Sequence, residues 1–320
     1  AYFSPGSTAT KPVEPLSASS TFTAVANVSL TAQWESGGNG SGTLYEAWAS
    51  TEAPLTTTHV GNSFVSTRSW AAPISAQLVG LVANTTYFLF VRAVGHSGAA
   101  TPYVGLGSTA TLANTPVAAG VPFSDVSTGS LVGYWNANGN GAGTRYETVV
   151  GTAFPYTAGD TGNIRIATAP EGAPAGAFMG LVANATYYLY ASAMNRAGAL
   201  TPYAALGSTL TLVGVPAVST PAFAGTSFDS LTASWGHGGN SSGTLYNAVV
   251  STGSPLTLGY AGNVMVSTAP EEEPQALFAG LSPNTSYFLF VRAAGRDNTL
   301  TAYLQMGERL IILQNRKVFC

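Results

Sequence analysis

One period governs this chain. Trp34, Trp135 and Trp235 lie 101 and 100 residues apart, and Tyr87, Tyr187 and Tyr287 lie 100 apart. Around the tyrosines run LVANTTYFLFVRAVG (81–95), LVANATYYLYASAMN (181–195) and LSPNTSYFLFVRAAG (281–295). A second block recurs as SGTLYEA (41–47), AGTRYET (142–148) and SGTLYNA (242–248), and a third as TPYVGLGST (101–109), TPYAALGST (201–209) and the divergent TAYLQMGER (301–309). Pro15, Pro116 and Pro216 keep the same phase. Self-similarity at a fixed interval means one structural unit used repeatedly. The expected units are 15–114, 115–214 and 215–314.

The ends carry their own signals. Residues 1–10, AYFSPGSTAT, match PYVGLGSTAT at 102–111, so residues 1–14 read as the orphan last strand of a preceding repeat. With no initiator Met and no signal peptide, the expectation is a segment of a longer array or a processed product. At the other end GERLIILQNRKVFC (307–320) replaces the expected GSTATLA and gathers charge, with 315–320 as an atypical tail. It reads either as a terminal cap or as a reading-frame artefact.

Each unit reads as all-β. Apolar residues alternate with period two in short runs separated by Gly, Pro, Asn and Ser clusters, and no stretch sustains a helical period. Leu30, Ala32 and Trp34 face one way along one strand; Tyr45, Ala47 and Ala49 along another; Tyr87, Leu89, Val91 and Ala93 along a third. About seven such strands per hundred residues predict a two-sheet sandwich. The unit resembles a fibronectin type III domain. That family places a Trp on the second strand, a Tyr on the third, and a Leu shortly before a Tyr that opens the sixth. The matching residues are Trp34, Tyr45, Leu81 and Tyr87; Trp135, Tyr146, Leu181 and Tyr187; and Trp235, Tyr246, Leu281 and Tyr287. The resemblance implies three tandem fibronectin type III, immunoglobulin-like β-sandwiches. Asn84, Asn184 and Asn284 stand where the family usually has Gly, and Asn tolerates the left-handed backbone region next best.

Composition narrows the function. Only 8% of residues are charged, against about 25% in a typical soluble chain, and the net charge is -3. That excludes nucleic-acid binding through a basic face, which needs clustered Lys and Arg. No apolar run is long enough to span a bilayer as a helix. The one cysteine, Cys320, is the last residue, so no internal disulfide or cysteine metal site is expected.

No catalytic, metal or cofactor residues are expected. His59, His96 and His237 fall at different places in their units and lack metal-ligand spacing. Asp125, Asp160, Asp229 and Asp297 form no calcium loop, and no GxSxG occurs. Glu271, Glu272 and Glu273 read as a solvated loop. Six Asn-x-Ser/Thr sequons occur, at Asn27, Asn39, Asn84, Asn184, Asn240 and Asn284. The candidate ligand or partner face is aromatic. If Tyr87, Leu89 and Val91 point inward, then Phe88 and Phe90 point outward, as do Tyr188 and Tyr190, and Phe288 and Phe290, with Trp48 on the neighbouring strand. Such a stripe stacks on sugar rings, packs against another protomer, or is covered internally by 53–73, 154–174 and 254–274. Internal cover is the favoured expectation, because compact domains rarely leave long connections loose.

The function expected from the resemblance is a non-enzymatic extracellular structural or adhesive array, secreted or at the cell surface. Its partners would be other proteins or extracellular polysaccharide. Two alternatives stay open: a carbohydrate-binding or spacer segment of a secreted polysaccharide-degrading enzyme, and a filament subunit that self-associates through residues 1–10 by β-augmentation.

Overall fold

The computed structural model describes residues 8–68, 72–168, 174–268 and 274–312. Among them are twenty-one strands and no helix. Unit 1 holds β1 (Leu16–Val25), β2 (Ser29–Glu35), β3 (Leu44–Ser50), β4 (Ser63–Arg68), β5 (Ile74–Val79), β6 (Thr86–Val94) and β7 (Val104–Ala110). Unit 2 holds β8 (Val117–Ser124), β9 (Ser130–Asn136), β10 (Arg145–Gly151), β11 (Ile164–Ala167), β12 (Ala175–Met179), β13 (Thr186–Met194) and β14 (Ala204–Leu210). Unit 3 holds β15 (Ala217–Thr226), β16 (Ser230–Gly236), β17 (Leu245–Ser251), β18 (Val264–Ser267), β19 (Gln275–Ala279), β20 (Thr285–Ala294) and β21 (Leu304–Ile311).

The strands pair in the same antiparallel order three times. In unit 1, β1-β2-β5 form one sheet and β4-β3-β6-β7 the other; units 2 and 3 repeat this three-plus-four arrangement. The two sheets close on alternate residues of each strand. Trp34 and Tyr45 meet across the sheets at 6.1 Å between ring centroids, Trp135 and Tyr146 at 5.5 Å, and Trp235 and Tyr246 at 6.0 Å. All six rings are buried. The indole N–H of each tryptophan has no acceptor among the described residues.

Two local devices shape each sandwich. The register of β6 against β7 slips between Leu89 and Phe90, and Gly107 takes φ 128° at the slip. The extra residue turns Leu106 into the core, as the same slip in the later units does for Leu206 and Met306. Before β6, the chain makes a tight corner. The Val82 N–H donates to Tyr87 Oη at 3.0 Å; Val182 to Tyr187 Oη at 2.9 Å; and Ser282 to Tyr287 Oη at 3.0 Å. This is the backbone-to-hydroxyl bond of a tyrosine corner. Asn84, Asn184 and Asn284 sit in that corner at φ 52°, 53° and 53°.

The displaced strand expected at 1–10 falls mainly on residues 1–7, outside the described residues; residues 8–15 form no strand. Trp70, the Glu271–Glu273 run and the tail 315–320 also lie outside them.

Candidate functional site: the outer aromatic face and the joints between units

The aromatic residues picked out by alternation lie on the outer face of each four-stranded sheet. Register pairs Trp48 with Phe90 and with Phe64 on β4. None of the seven is exposed. Trp48, Phe88, Phe90, Tyr188 and Phe288 are half-buried, while Tyr190 and Phe290 are buried. The cover comes from the chain itself. Phe64 stacks on Trp48 at 4.6 Å, Phe154 on Tyr188 at 5.2 Å, and Tyr156 on Tyr190 at 5.3 Å. Tyr190 Oη also donates to the Ala153 carbonyl at 2.8 Å, tying the loop down.

Beside these rings lies a polar cluster that sequence reasoning did not find. In unit 1, Arg92 Nε and Nη2 reach Glu46 Oε2 at 2.7 and 2.6 Å. Tyr103 Oη donates to the same oxygen at 3.2 Å and accepts from Trp48 Nε1 at 2.9 Å. Arg92 also lies over the Tyr103 ring at 4.6 Å. Unit 2 varies the theme. Tyr203 Oη donates to Glu147 at 2.7 Å, Ser192 stands in place of the arginine, and Tyr156 stacks on Tyr203 at 4.5 Å. Burial, and then the hydrogen bond to the Glu147 carboxylate, push the Tyr203 hydroxyl far above the ordinary tyrosine range. The signal was present in the repeat: charged residues at strand positions 46, 92 and 147, in a chain that otherwise avoids charge.

The joints are the other construction that the sequence did not reveal. Asn84 belongs to unit 1, is only 2% exposed, and is fully engaged by unit 2. Its Nδ2 donates to Thr144 Oγ1 at 2.9 Å and to the Met194 carbonyl at 3.2 Å. Its Oδ1 accepts from the Arg196 backbone N–H at 2.8 Å. Asn184, at 0% exposure, repeats this against unit 3: Nδ2 donates to Thr244 Oγ1 at 2.9 Å, and Oδ1 accepts from the Arg296 N–H at 2.9 Å. Backbone bonds run alongside, from Gly141 N–H to the Ala83 carbonyl and from Ser241 N–H to the Ala183 carbonyl, both at 2.8 Å.

A second asparagine fastens each connection from the other side. Asn140 holds the backbone of Asn114, accepting from its N–H at 2.7 Å and donating to its carbonyl at 2.9 Å. Asn240 does the same to Gly214 at 2.7 and 2.8 Å, and Asn39 to Val13 at 2.8 and 2.7 Å. A β-bridge links Ala83 with Asn140 and Ala183 with Asn240. Each connection is therefore clamped to the unit that follows it, and each joint is bonded through side chain and backbone together.

Among the described residues no group of three or more His, Cys, Asp or Glu side chains could hold a metal ion. His59 lies 3.0 Å from Glu52 and bonds to Thr51. No helix among the described residues is long and apolar enough to cross a membrane.

No protein-family model matches the chain, and neither does any curated protein. Solved structures do. The chain is similar to the FN1–FN3 domains of chicken CNTN1, at 15% identity over 95% of this chain and 100% of that one, with a TM-score of 0.31. It is also similar to a segment of two fibronectin type III domains from chicken tenascin, at 14% identity over 62% of this chain and 99% of that one, with a TM-score of 0.41. The strand order and the three cores define the architecture by themselves: three antiparallel three-plus-four β-sandwiches in tandem, the fold that the sequence resemblance implies.

Proposed function

We propose that the chain is a non-enzymatic spacer or scaffold whose three units are held in series at fixed angles, working outside the cell between other proteins or extracellular polysaccharide. The observation that carries this reading is the burial of Asn84 and Asn184 with their hydrogen bonds crossing the joints. Burying an amide costs free energy unless its donors and acceptor are matched. Domains that swing freely have no use for such matched groups at their contact; a spacer that transmits orientation does. The fixed connections support the same role, since Asn140 and Asn240 remove freedom from the few residues that would otherwise act as hinges.

Paired spin labels at exposed Val60 in unit 1 and Val121 in unit 2 test it. The expected result is one narrow distance distribution, broadened by Asn84→Gly. A distribution already as broad in the unsubstituted chain removes the spacer reading. Turnover of any substrate that survives repurification removes the non-enzymatic part.

A further inference from the structure

Three positions of unit 2 depart from both other units, and all three line one groove. Arg145 stands where units 1 and 3 have Leu44 and Leu245, Met194 where they have Val94 and Ala294, and Asn195 where they have Gly95 and Gly295. Register sets Arg145 on β10 directly opposite Met194 on β13. Arg196, and Asn84 from across the first joint, complete the wall of a groove of about 380 Å3. The whole chain has eleven Lys and Arg residues, and two of them line this one place.

Both arginines are exposed, and neither has a carboxylate partner: the ion pairs among the described residues are Arg92–Glu46 and His59–Glu52. Glu147, on the same face of β10 as Arg145, already accepts from Tyr203 at 2.7 Å. Arg196 is held in place by the joint. Its Nε donates to the Asn84 carbonyl at 3.0 Å and its Nη2 to the Ala142 carbonyl at 3.2 Å, which leaves Nη1 without a partner among the described residues. Asn195 Oδ1 accepts from the Ala197 and Ala199 N–H groups at 3.0 and 2.8 Å, so its Nδ2 is an unused donor. An exposed ion pair ordinarily gains little, because two long side chains must be ordered to make it. Here one of them is ordered beforehand, so less freedom is lost when an anion arrives.

We infer that this groove binds a uronic acid residue of an acidic polysaccharide, with the sugar carboxylate accepting from Arg145 and Arg196. A planar carboxylate matches the guanidinium fork, and such charge-assisted bonds are about twice as strong as neutral ones. Asn195 Nδ2 donates to a ring hydroxyl, and Met194 supplies an apolar surface for the carbon face of the ring. Gly143 and Gly198 at the rim add no side chain to obstruct entry. A polysaccharide as the source of the acid rests on the extracellular setting proposed above.

The test is an NMR titration of the full chain with galacturonate and, in parallel, with galactose and with acetate. Galacturonate is expected to give saturable shifts at the Arg145 and Arg196 Nε–H and at the Gly143 and Gly198 amides, with galactose and acetate each at least roughly tenfold weaker. Arg145→Leu installs the residue that units 1 and 3 carry at this strand position, so the sandwich is expected to stay folded. It should weaken galacturonate binding by roughly tenfold while the core amide signals stay in place. Galactose binding as tightly as galacturonate would remove the role of the charge. Acetate binding as tightly would make the groove a site for any carboxylate, acidic side chains of a partner protein included. Either result, undiminished binding to the Arg145→Leu chain, or no saturable shift at all would overturn the proposal. The spin-label distance between units 1 and 2 is independent of the sugar: if it stays narrow while galacturonate fails to bind, this site falls and the spacer reading stands.

Discussion

Asn84 and Arg196 are joined at two points, 112 residues apart in sequence: the Arg196 backbone N–H donates to Asn84 Oδ1 at 2.8 Å, and Arg196 Nε donates to the Asn84 carbonyl at 3.0 Å. One residue of the tyrosine corner in unit 1 therefore also serves as the receptor for a loop of unit 2. The two duties can be separated. Glycine adopts φ 52° without strain but offers no side-chain bonds. Asn84→Gly should leave the corner of unit 1 intact while amide exchange at Arg196 accelerates. Unchanged protection of the Arg196 amide would show that the asparagine is only a turn residue.

The first joint tolerates no side chain at Gly141. A Cβ there would stand 2.5 Å from Thr85 Oγ1 and 3.2 Å from the Ala83 carbonyl. In the second joint Ser241 occupies the equivalent position, its Oγ donating to the Asn184 carbonyl at 2.6 Å, and Ala185 replaces the threonine. Gly141→Ser should loosen the first joint, and Thr85→Ala in the same chain should recover much of the loss. A double-mutant cycle on thermal midpoints measures this coupling. Additive effects would mean that the two sites do not share the space.

Trp135 fills the centre of unit 2 against Tyr146. Trp135→Ala should cost about 3 to 5 kcal/mol in a urea titration, through the cavity it leaves. Trp135→Phe should cost distinctly less, because the phenyl ring keeps much of the space filled, and the indole N–H that is lost has no acceptor among the described residues. Similar losses for both would place the main contribution in the indole itself rather than in volume.

At the corner of unit 2, Tyr187→Phe removes the acceptor for the Val182 N–H. The expected loss is about 1 to 2 kcal/mol, as for a backbone donor left without its partner. Denaturant titration of the variant reads this directly, and a neutral result would reduce the corner to packing alone.

Burial raises the hydroxyl pKa of Tyr45, Tyr103, Tyr146, Tyr190, Tyr203 and Tyr246 above the ordinary value of 10.0. A pKa raised by folding contributes stability that is fully present below pH 10 and is lost as pH climbs from there towards the folded-state values. Stability should therefore decline above pH 10, with a block of tyrosines ionising only as the chain unfolds. Glu147→Gln should lower the ionisation point of Tyr203, since the carboxylate accepts its hydrogen bond and repels the phenolate. A smooth titration of all tyrosines with the fold intact would contradict the burial argument.

Much of the architecture was written in short-range patterns. Period-two alternation placed Trp34, Tyr45 and Tyr87 inside, because a strand turns every second side chain to the same face. Repetition then showed that the solution was used three times. Alternation also put Phe88 and Phe90 on the outer face, but it says nothing of what lies over that face. The cover depends on how the loop after β3 bends and on Phe64 in the next strand. The joints were hidden for a different reason. Asn84 already had a sufficient local explanation in its backbone angle, while its partners Thr144 and Arg196 are 60 and 112 residues away. The cluster of Glu46, Arg92 and Tyr103 is likewise assembled from β3, β6 and the residue just before β7, and only the pairing of those segments brings the three together.

The joint asparagines have a consequence for how the chain can be made. Asn84 and Asn184 head the triplets Asn-Thr-Thr and Asn-Ala-Thr, which an oligosaccharyltransferase reads on the emerging polypeptide. The same Nδ2 atom that would carry the glycan is the donor to Thr144 or Thr244. A glycan there would leave Nδ2 one N–H, but with Asn84 2% and Asn184 0% exposed the closed joint has no room for a sugar, so a glycosylated copy could not close it. Any copy that received a sugar at Asn84 or Asn184 before folding would carry a loosened joint, whereas material from a cell without the transferase would be uniform.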